Sequence, residues 1–147
     1  MTRPPATLQE PPVTVAHLLA SARARLDRLT PEAAYAATCR GAVLVDIRSD
    51  SQRASDGTVP GALFVSRNLL EWRTDPACPH RDPLLSRPDT RQVLLCDQGY
   101  QSSLAAATLQ RFGLLYATDV IGGFQAWRAA RLPVKAGRAA QPSSGCE

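Results

Sequence analysis

Cys96 stands at the end of an apolar run, Val93, Leu94 and Leu95, and is followed by Asp97, Gln98, Gly99, Tyr100, Gln101 and Ser102. Residues 103 to 112 then read as a helix stopped by Gly113, which places the thiol where a buried strand turns into a helix N-terminus. Such a terminus carries unpaired backbone N–H groups and the positive end of the helix dipole, so it favours anions, a thiolate among them. Gly99 opens backbone conformations closed to other residues, and Ser102 and Ser103 are good caps for the following helix. A loop of this length can curl into a cradle whose N–H groups point inward at a negative sulfur or oxygen. The competing reading of a cysteine at a strand end is a small core hydrophobe.

Other residues that could do chemistry have plainer readings. Cys78, Pro79 and His80 lie in a proline-rich stretch, and two potential ligands do not make a metal site. Cys78 could act as a resolving thiol for Cys96 if that stretch folds over the cradle. Cys39, near a helix end, reads as packing, and Cys146 as an exposed thiol. The even count of four cysteines without zinc spacing does not imply a disulfide framework, so all four are read as free thiols. His17 falls between apolar positions of a helix and reads as a partly buried packing residue. Asp46 reads as structural, Trp127 as core and Tyr100 as projecting outward, while Trp72 could line the mouth of the site.

The elements that must position Cys96 alternate. Thr14 caps a helix whose apolar positions Val15, Leu18, Leu19, Ala22, Leu26 and Leu29 recur at helical spacing. Thr30, Pro31 and Glu32 start a second, short helix that runs to about Thr38. Strands are expected over residues 42–47, 62–65, 92–95 and 118–121, with turns at Asp56–Gly57 and Pro60–Gly61. One or two helical turns are expected over 68–73 and a helix over 124–130. The segment 74–90 carries Pro76, Pro79, Pro83 and Pro88, and is either a functional loop or partly disordered. Alternating apolar strands and helices imply an α/β fold with a parallel sheet covered on both faces. In such sheets ligands bind beyond the carboxyl ends of the strands, where Cys96 lies.

The chain has 147 residues and a net charge of +4, which fits one domain with a sizeable core. A flexible arm is expected at 1–13, the domain at 14–134 with its core at about 30–134, and a flexible tail at 135–147. The arginines are spread without interleaved aromatics, which reads as a solvated basic surface and not a nucleic-acid interface. No apolar stretch is long enough to span a bilayer, and the first residues lack the hydrophobic block of a secretory signal, so the cytoplasm is the expected location.

Taken together, Cys96, Gly99 and Ser102 resemble the active-site loop of the rhodanese family of sulfurtransferases: cysteine, two residues, glycine, one residue, commonly an arginine, then a small residue opening a helix. The resemblance extends outward in the correct order. Leu44 to Arg48 is similar to the family's first conserved strand with its Asp-x-Arg ending, and Gly57 to Ala62 to its Gly-His-Ile-Pro-Gly-Ala turn, with Thr58 in place of histidine. Gly122 to Trp127 followed by Leu132, Pro133 and Val134 is similar to the closing motif. The resemblance implies a three-layer rhodanese-like fold with a mainly parallel sheet of four to five strands.

It also implies a thiosulfate sulfurtransferase type of enzyme. Cys96 would carry a persulfide held by the backbone of Asp97, Gln98, Gly99, Tyr100, Gln101 and Ser102, with no metal or organic cofactor. The implied partners are a small sulfur-containing anion and a thiol or cyanide acceptor, a protein acceptor among the possibilities. The chain departs from the pattern at Gln101, where many single-domain members place arginine, and Asp97 adds a negative charge that repels dianionic donors. Arg48, Arg67 and Arg73 are the candidates for a substituting cation, although Arg48, in the Asp-x-Arg motif, reads first as a salt-bridge partner that shapes the fold. The alternative function is a non-catalytic rhodanese-fold binding or redox-sensing module. Phosphatases and arsenate reductases of related fold have one residue more between cysteine and arginine, so this loop has the shorter, sulfur-sized form.

Overall fold

A computed structural model describes residues 10–136 together with residues 2, 3 and 7, so the expected arm and tail fall largely outside the described residues. One sheet of four parallel strands runs in the order β2-β1-β3-β4, formed by β1 (Val43–Asp46), β2 (Leu63–Phe64), β3 (Gln92–Leu95) and β4 (Thr118–Asp119). The helices are α1 (Val15–Arg23), α2 (Pro31–Thr38), α3 (Asp50–Asp56), α4 (Leu70–Thr74), α5 (Gln101–Gln110) and α6 (Gly123–Ala129). A short 3₁₀ turn, Arg67–Leu69, leads into α4. This is the α/β architecture with helices on both faces that the alternation implies.

The two-residue period of the central strands sorts the core. Leu44, Val93 and Leu95 face Ala34 of α2 and Phe124 and Trp127 of α6. Val45, Leu94 and Cys96 face the other way, onto Ala105, Ala106 and Leu109 of α5. Cys96 thus continues the α5 side of β3 one residue past the strand, and its direction follows from the pleat.

Several expectations are corrected. The first helix stops at Arg23, and Leu29 instead forms a parallel bridge to Val120, donating to the Asp119 carbonyl and accepting from Ile121. Its apolar face is poorly covered, with Val15 and Leu18 largely exposed, and His17 is exposed as well. The polar segment after β1 is a helix, α3, begun by a capping box in which Ser49 and Gln52 bond each other's backbone. Residues 74–90 are held in one conformation by the rest of the fold. Leu85 anchors them in the core, Asp82 N–H bonds the Arg73 carbonyl at 2.8 Å, and Thr90 Oγ1 bonds the Leu84 carbonyl at 2.8 Å. At the far end Lys135 pairs antiparallel with Thr58. Cys39 is exposed at the end of α2 and disulfide-bonded, which corrects its reading as a packed free thiol: the helix end leaves its sulfur reachable.

Candidate active site

The main chain after β3 folds back on the Cys96 sulfur. Gly99 N–H donates to Sγ at 3.1 Å and Ser102 N–H at 3.4 Å, with the side chain buried at 6% exposure. Gly99 makes the reversal with φ +82°, and a Cβ there would lie 2.7 Å from the Gly122 nitrogen, so the position requires glycine for conformation and for space.

The loop is held in place by the capture of its carbonyls from outside. Phe124 and Gln125, in the first turn of α6, donate to the Cys96 and Asp97 carbonyls at 2.8 and 3.1 Å. From the opposite side Arg23 and Arg28 donate to the Gly99 carbonyl at 2.8 and 3.0 Å. With the carbonyls of residues 96, 97 and 99 held this way, the course of the loop on either side of Gly99 is fixed, and the N–H groups of Gly99 and Ser102 reach the sulfur. Close approach of α6 depends on Gly123, where an added Cβ would lie 2.5 Å from the Cys96 carbonyl oxygen.

α5 begins two residues earlier than the sequence suggests, at Gln101, with Tyr100 at its cap position and no side-chain cap. Ser102 and Ser103, expected as caps, lie fully buried in the first turn. Their hydroxyls donate to Asp119 Oδ2 at 2.7 and 2.8 Å, and Ser102 Oγ also lies 3.2 Å from Cys96 Sγ. Asp119 is fully buried in β4, where a carboxylate requires partners. Arg28 supplies them, with Nε 2.8 Å from Oδ1 and a terminal nitrogen 3.2 Å from Oδ2. Arg23 Nε completes the network by donating to Ser103 Oγ at 3.2 Å. The sequence reading missed Asp119, Arg23 and Arg28 as parts of this site. An acidic residue inside a short parallel strand was the available signal.

The sulfur opens onto a cleft of about 510 Å³ whose wall includes Cys96, Asp97, Gln98, Tyr100 and Gln101 from the loop and Ser49, Gln52, Ser66, Arg67 and Asn68 opposite. Arg48 and Arg67 both reach this wall, and both are paired with carboxylates. Arg48 is buried, bonds Asp46 through Nε and a terminal nitrogen at 3.0 and 2.8 Å, donates to the Gly57 carbonyl, and stacks 3.8 Å from the Phe124 ring. Arg67 pairs with Glu71 at 2.5 Å and stays partly exposed. Arg73 is not on the cleft wall and donates to the His80 carbonyl. Asp97 is drawn toward α6 by Gln125, whose amide donates to it at 2.8 Å. Tyr100 projects outward with Arg23 5.6 Å from its ring, while Trp72 is exposed away from the cleft wall. Cys78 is a free thiol that also lies off this wall. Among the described residues no group of three His, Cys, Asp or Glu side chains could hold a metal ion, and no helix is long and apolar enough to cross a membrane.

The model of the rhodanese-like domain family matches residues 30–130. Thiosulfate sulfurtransferase GlpE of Pseudomonas entomophila is 36% identical over 104 residues, covering 69% of this chain and 84% of that protein. The rice adenylyltransferase and sulfurtransferase MOCS3 is 33% identical over 89 residues, but this chain spans only 20% of its length. Among solved structures, a Rhodopseudomonas palustris protein of unknown function, described as a possible tyrosine phosphatase, superposes with TM-score 0.78 at 32% identity, covering 90% of this chain and all of that one. The polysulfide-sulfur transferase homodimer of Wolinella succinogenes superposes with TM-score 0.61 at 23% identity, covering 89% of this chain and 86% of that one.

Proposed function

The chain belongs to the rhodanese-like domain family, and from that premise we propose that it is a sulfurtransferase in which Cys96 carries sulfane sulfur as a persulfide. The observation that carries this reading is the convergence of the Gly99 and Ser102 N–H groups on Cys96 Sγ at 3.1 and 3.4 Å. Donors fixed in this way stabilise negative charge on sulfur without reorganising during the reaction. The relatives named thiosulfate sulfurtransferase support the same chemistry.

In the first half-reaction the Cys96 thiolate attacks the outer sulfur of a donor such as thiosulfate. The S–S bond of the donor breaks, sulfite leaves with the bonding electron pair, and Cys96 holds the transferred sulfur as a persulfide anion. In the second, an acceptor thiolate or cyanide attacks that outer sulfur and the Cys96 thiolate is regenerated. This double displacement is covalent nucleophilic catalysis with ping-pong kinetics. Asp97, Gln98, Gly99, Tyr100, Gln101 and Ser102 contribute the backbone that cradles the outer sulfur. Arg67 is the cation best placed on the cleft wall to meet an anionic donor, whereas Arg48 is committed to Asp46 and Arg73 stands off the wall.

The test is thiocyanate production from thiosulfate and cyanide, with intact-mass detection of one added sulfur on the protein. Cys96→Ser should abolish both signals. Absence of a persulfide with any sulfane donor would favour the second reading, a binding or redox-sensing module, for which Gln101 in place of a cation and the acidic Asp97 are the supporting features.

A further inference from the structure

Buried behind the reactive sulfur lies a chain of hydrogen bonds whose directions chemistry fixes. A carboxylate can only accept, so the Ser102 hydroxyl, 2.7 Å from Asp119 Oδ2, points its proton at Asp119. Its oxygen therefore presents a lone pair to Cys96 Sγ, 3.2 Å away, and this contact is a hydrogen bond only while the thiol proton is in place. Loss of that proton would set a lone pair against a thiolate. The conflict disappears when the Ser102 hydroxyl rotates and donates to sulfur. Asp119 can release it, because the Ser103 hydroxyl at 2.8 Å and two nitrogens of Arg28 at 2.8 and 3.2 Å still satisfy the carboxylate.

We infer that Asp119 is a positioning residue for the reaction of Cys96: it holds the Ser102 hydroxyl proton while the sulfur is a thiol and yields it to the sulfur when the thiolate forms. The thiol proton itself leaves to a solvent base through the cleft, and no bond between heavy atoms changes. Ser102 thereby becomes a third donor to the thiolate beside the N–H groups of Gly99 and Ser102, and Asp119 competes with the sulfur for it. The charged groups around the pair are Arg28 and Arg23 on the Asp119 and Ser103 side, and on the cleft side Asp97, Arg48 held by Asp46 and Arg67 held by Glu71. The proposal rests on the reading of Cys96 as the reacting thiol, but its test reads thiol reactivity and is independent of sulfur transfer.

The test is the pH profile of iodoacetamide alkylation of Cys96, followed by mass spectrometry of the Cys96-containing peptide in a Cys78→Ser background, so that only Cys96 is read. Asp119→Asn removes the competing acceptor. Arg28 Nε retains the amide oxygen, which leaves the amide NH₂ facing Ser102 and turns the hydroxyl proton toward sulfur. The profile moves to lower pH, and alkylation below its midpoint speeds up about tenfold, the size of one charge-assisted hydrogen bond. Ser102→Ala moves the profile to higher pH by a similar factor. In the double variant the Asn substitution has no further effect relative to Ser102→Ala.

An unchanged or slowed Asp119→Asn protein overturns the proposal. So does an equal acceleration in the Ser102→Ala background, which would trace the effect to the unpaired charge of Arg28 and not to the hydroxyl. If Asp119→Asn does not fold, Ser102→Ala alone decides: alkylation unchanged within twofold rejects Ser102 as a donor to the thiolate. A protein that transfers no sulfur yet shows these shifts would fail the functional reading and keep this one.

Discussion

Replacing Gly123 by alanine puts a methyl group into the junction that carries Cys96. The residue has φ +62°, and an added Cβ would lie 2.5 Å from the Cys96 carbonyl oxygen and 2.7 Å from both the carbonyl carbon and oxygen of Asp97. All three are backbone atoms, so no rotamer change relieves the overlap. α6 must withdraw, weakening the hydrogen bonds from Phe124 N–H to Cys96 and from Gln125 N–H to Asp97. The left-handed backbone costs alanine about 1 kcal/mol and each weakened hydrogen bond about 1 kcal/mol, for a loss of about 3 kcal/mol. At a urea slope of about 1.5 kcal/mol per molar, the unfolding midpoint falls by about 2 M. Gly113→Ala is the control. It has φ +86° with nothing within 4 Å of the added Cβ, so only the backbone cost of about 1 kcal/mol applies and the midpoint falls by less than about 1 M. The displaced junction also shifts the Cys96 sulfur relative to the Gly99 and Ser102 N–H groups, so persulfide formation by the folded protein drops about tenfold in Gly123→Ala and is unchanged in Gly113→Ala. Equal midpoints for the two variants would refute the argument that Gly123 seats α6 against the loop.

Arg48→Met leaves the buried Asp46 carboxylate with only the more distant Arg53, 3.4 Å away, as a charged partner beside the residue 48 N–H at 3.1 Å, and should cost about 3–5 kcal/mol in urea unfolding; a cost under about 1 kcal/mol rejects the structural role. Arg67→Ala loses a partly exposed pair and stays within about 1 kcal/mol of wild type. Its KM for thiosulfate should nonetheless rise several-fold, and an unchanged KM removes Arg67 from the donor site. Gln101→Arg supplies a guanidinium at the first residue of α5 and should raise kcat/KM for thiosulfate about tenfold; no change would show that the missing cation does not limit this donor. Hydrolysis of p-nitrophenyl phosphate should stay at the Cys96→Ser background, and turnover above it would reverse the ranking of sulfur over phosphoryl transfer.

The parts of the fold written in local chemistry were legible from sequence. Thr30, Pro31 and Glu32 set the start of α2, and the Val93–Leu95 run set β3 and the place of Cys96. What failed depended on tertiary partners. Leu26 and Leu29 keep helical spacing, yet Leu29 is taken by Val120 because a strand bridge beside β4 satisfies its backbone. α3 has no buried residue, so it leaves no apolar period, although its Ser49–Gln52 capping box stands in the sequence. Ser102 and Ser103 look like caps because nothing local shows the carboxylate of Asp119, 16 and 17 residues away, to which their hydroxyls turn. The cysteine and its glycine could be found, but the layer behind them is assembled by α1, the α1–α2 connection and β4, and no spacing encodes that meeting.

That layer also bears on the choice between sulfur and phosphorus. A phosphoryl group brings several charged oxygens and needs cations aimed at them in the transition state. Here the arginines on the cleft wall already face carboxylates, Arg48 with Asp46 and Arg67 with Glu71, and Asp97 brings another carboxylate to the same wall. Arg23 and Arg28 stand behind the loop, bonded to Gly99, Ser103 and Asp119. A persulfide demands less. Its charge is a single one spread over soft sulfur, and backbone N–H groups suffice to hold it. The site uses its arginines to shape the cradle, and that division suits holding a persulfide better than stabilising a phosphoryl-transfer transition state.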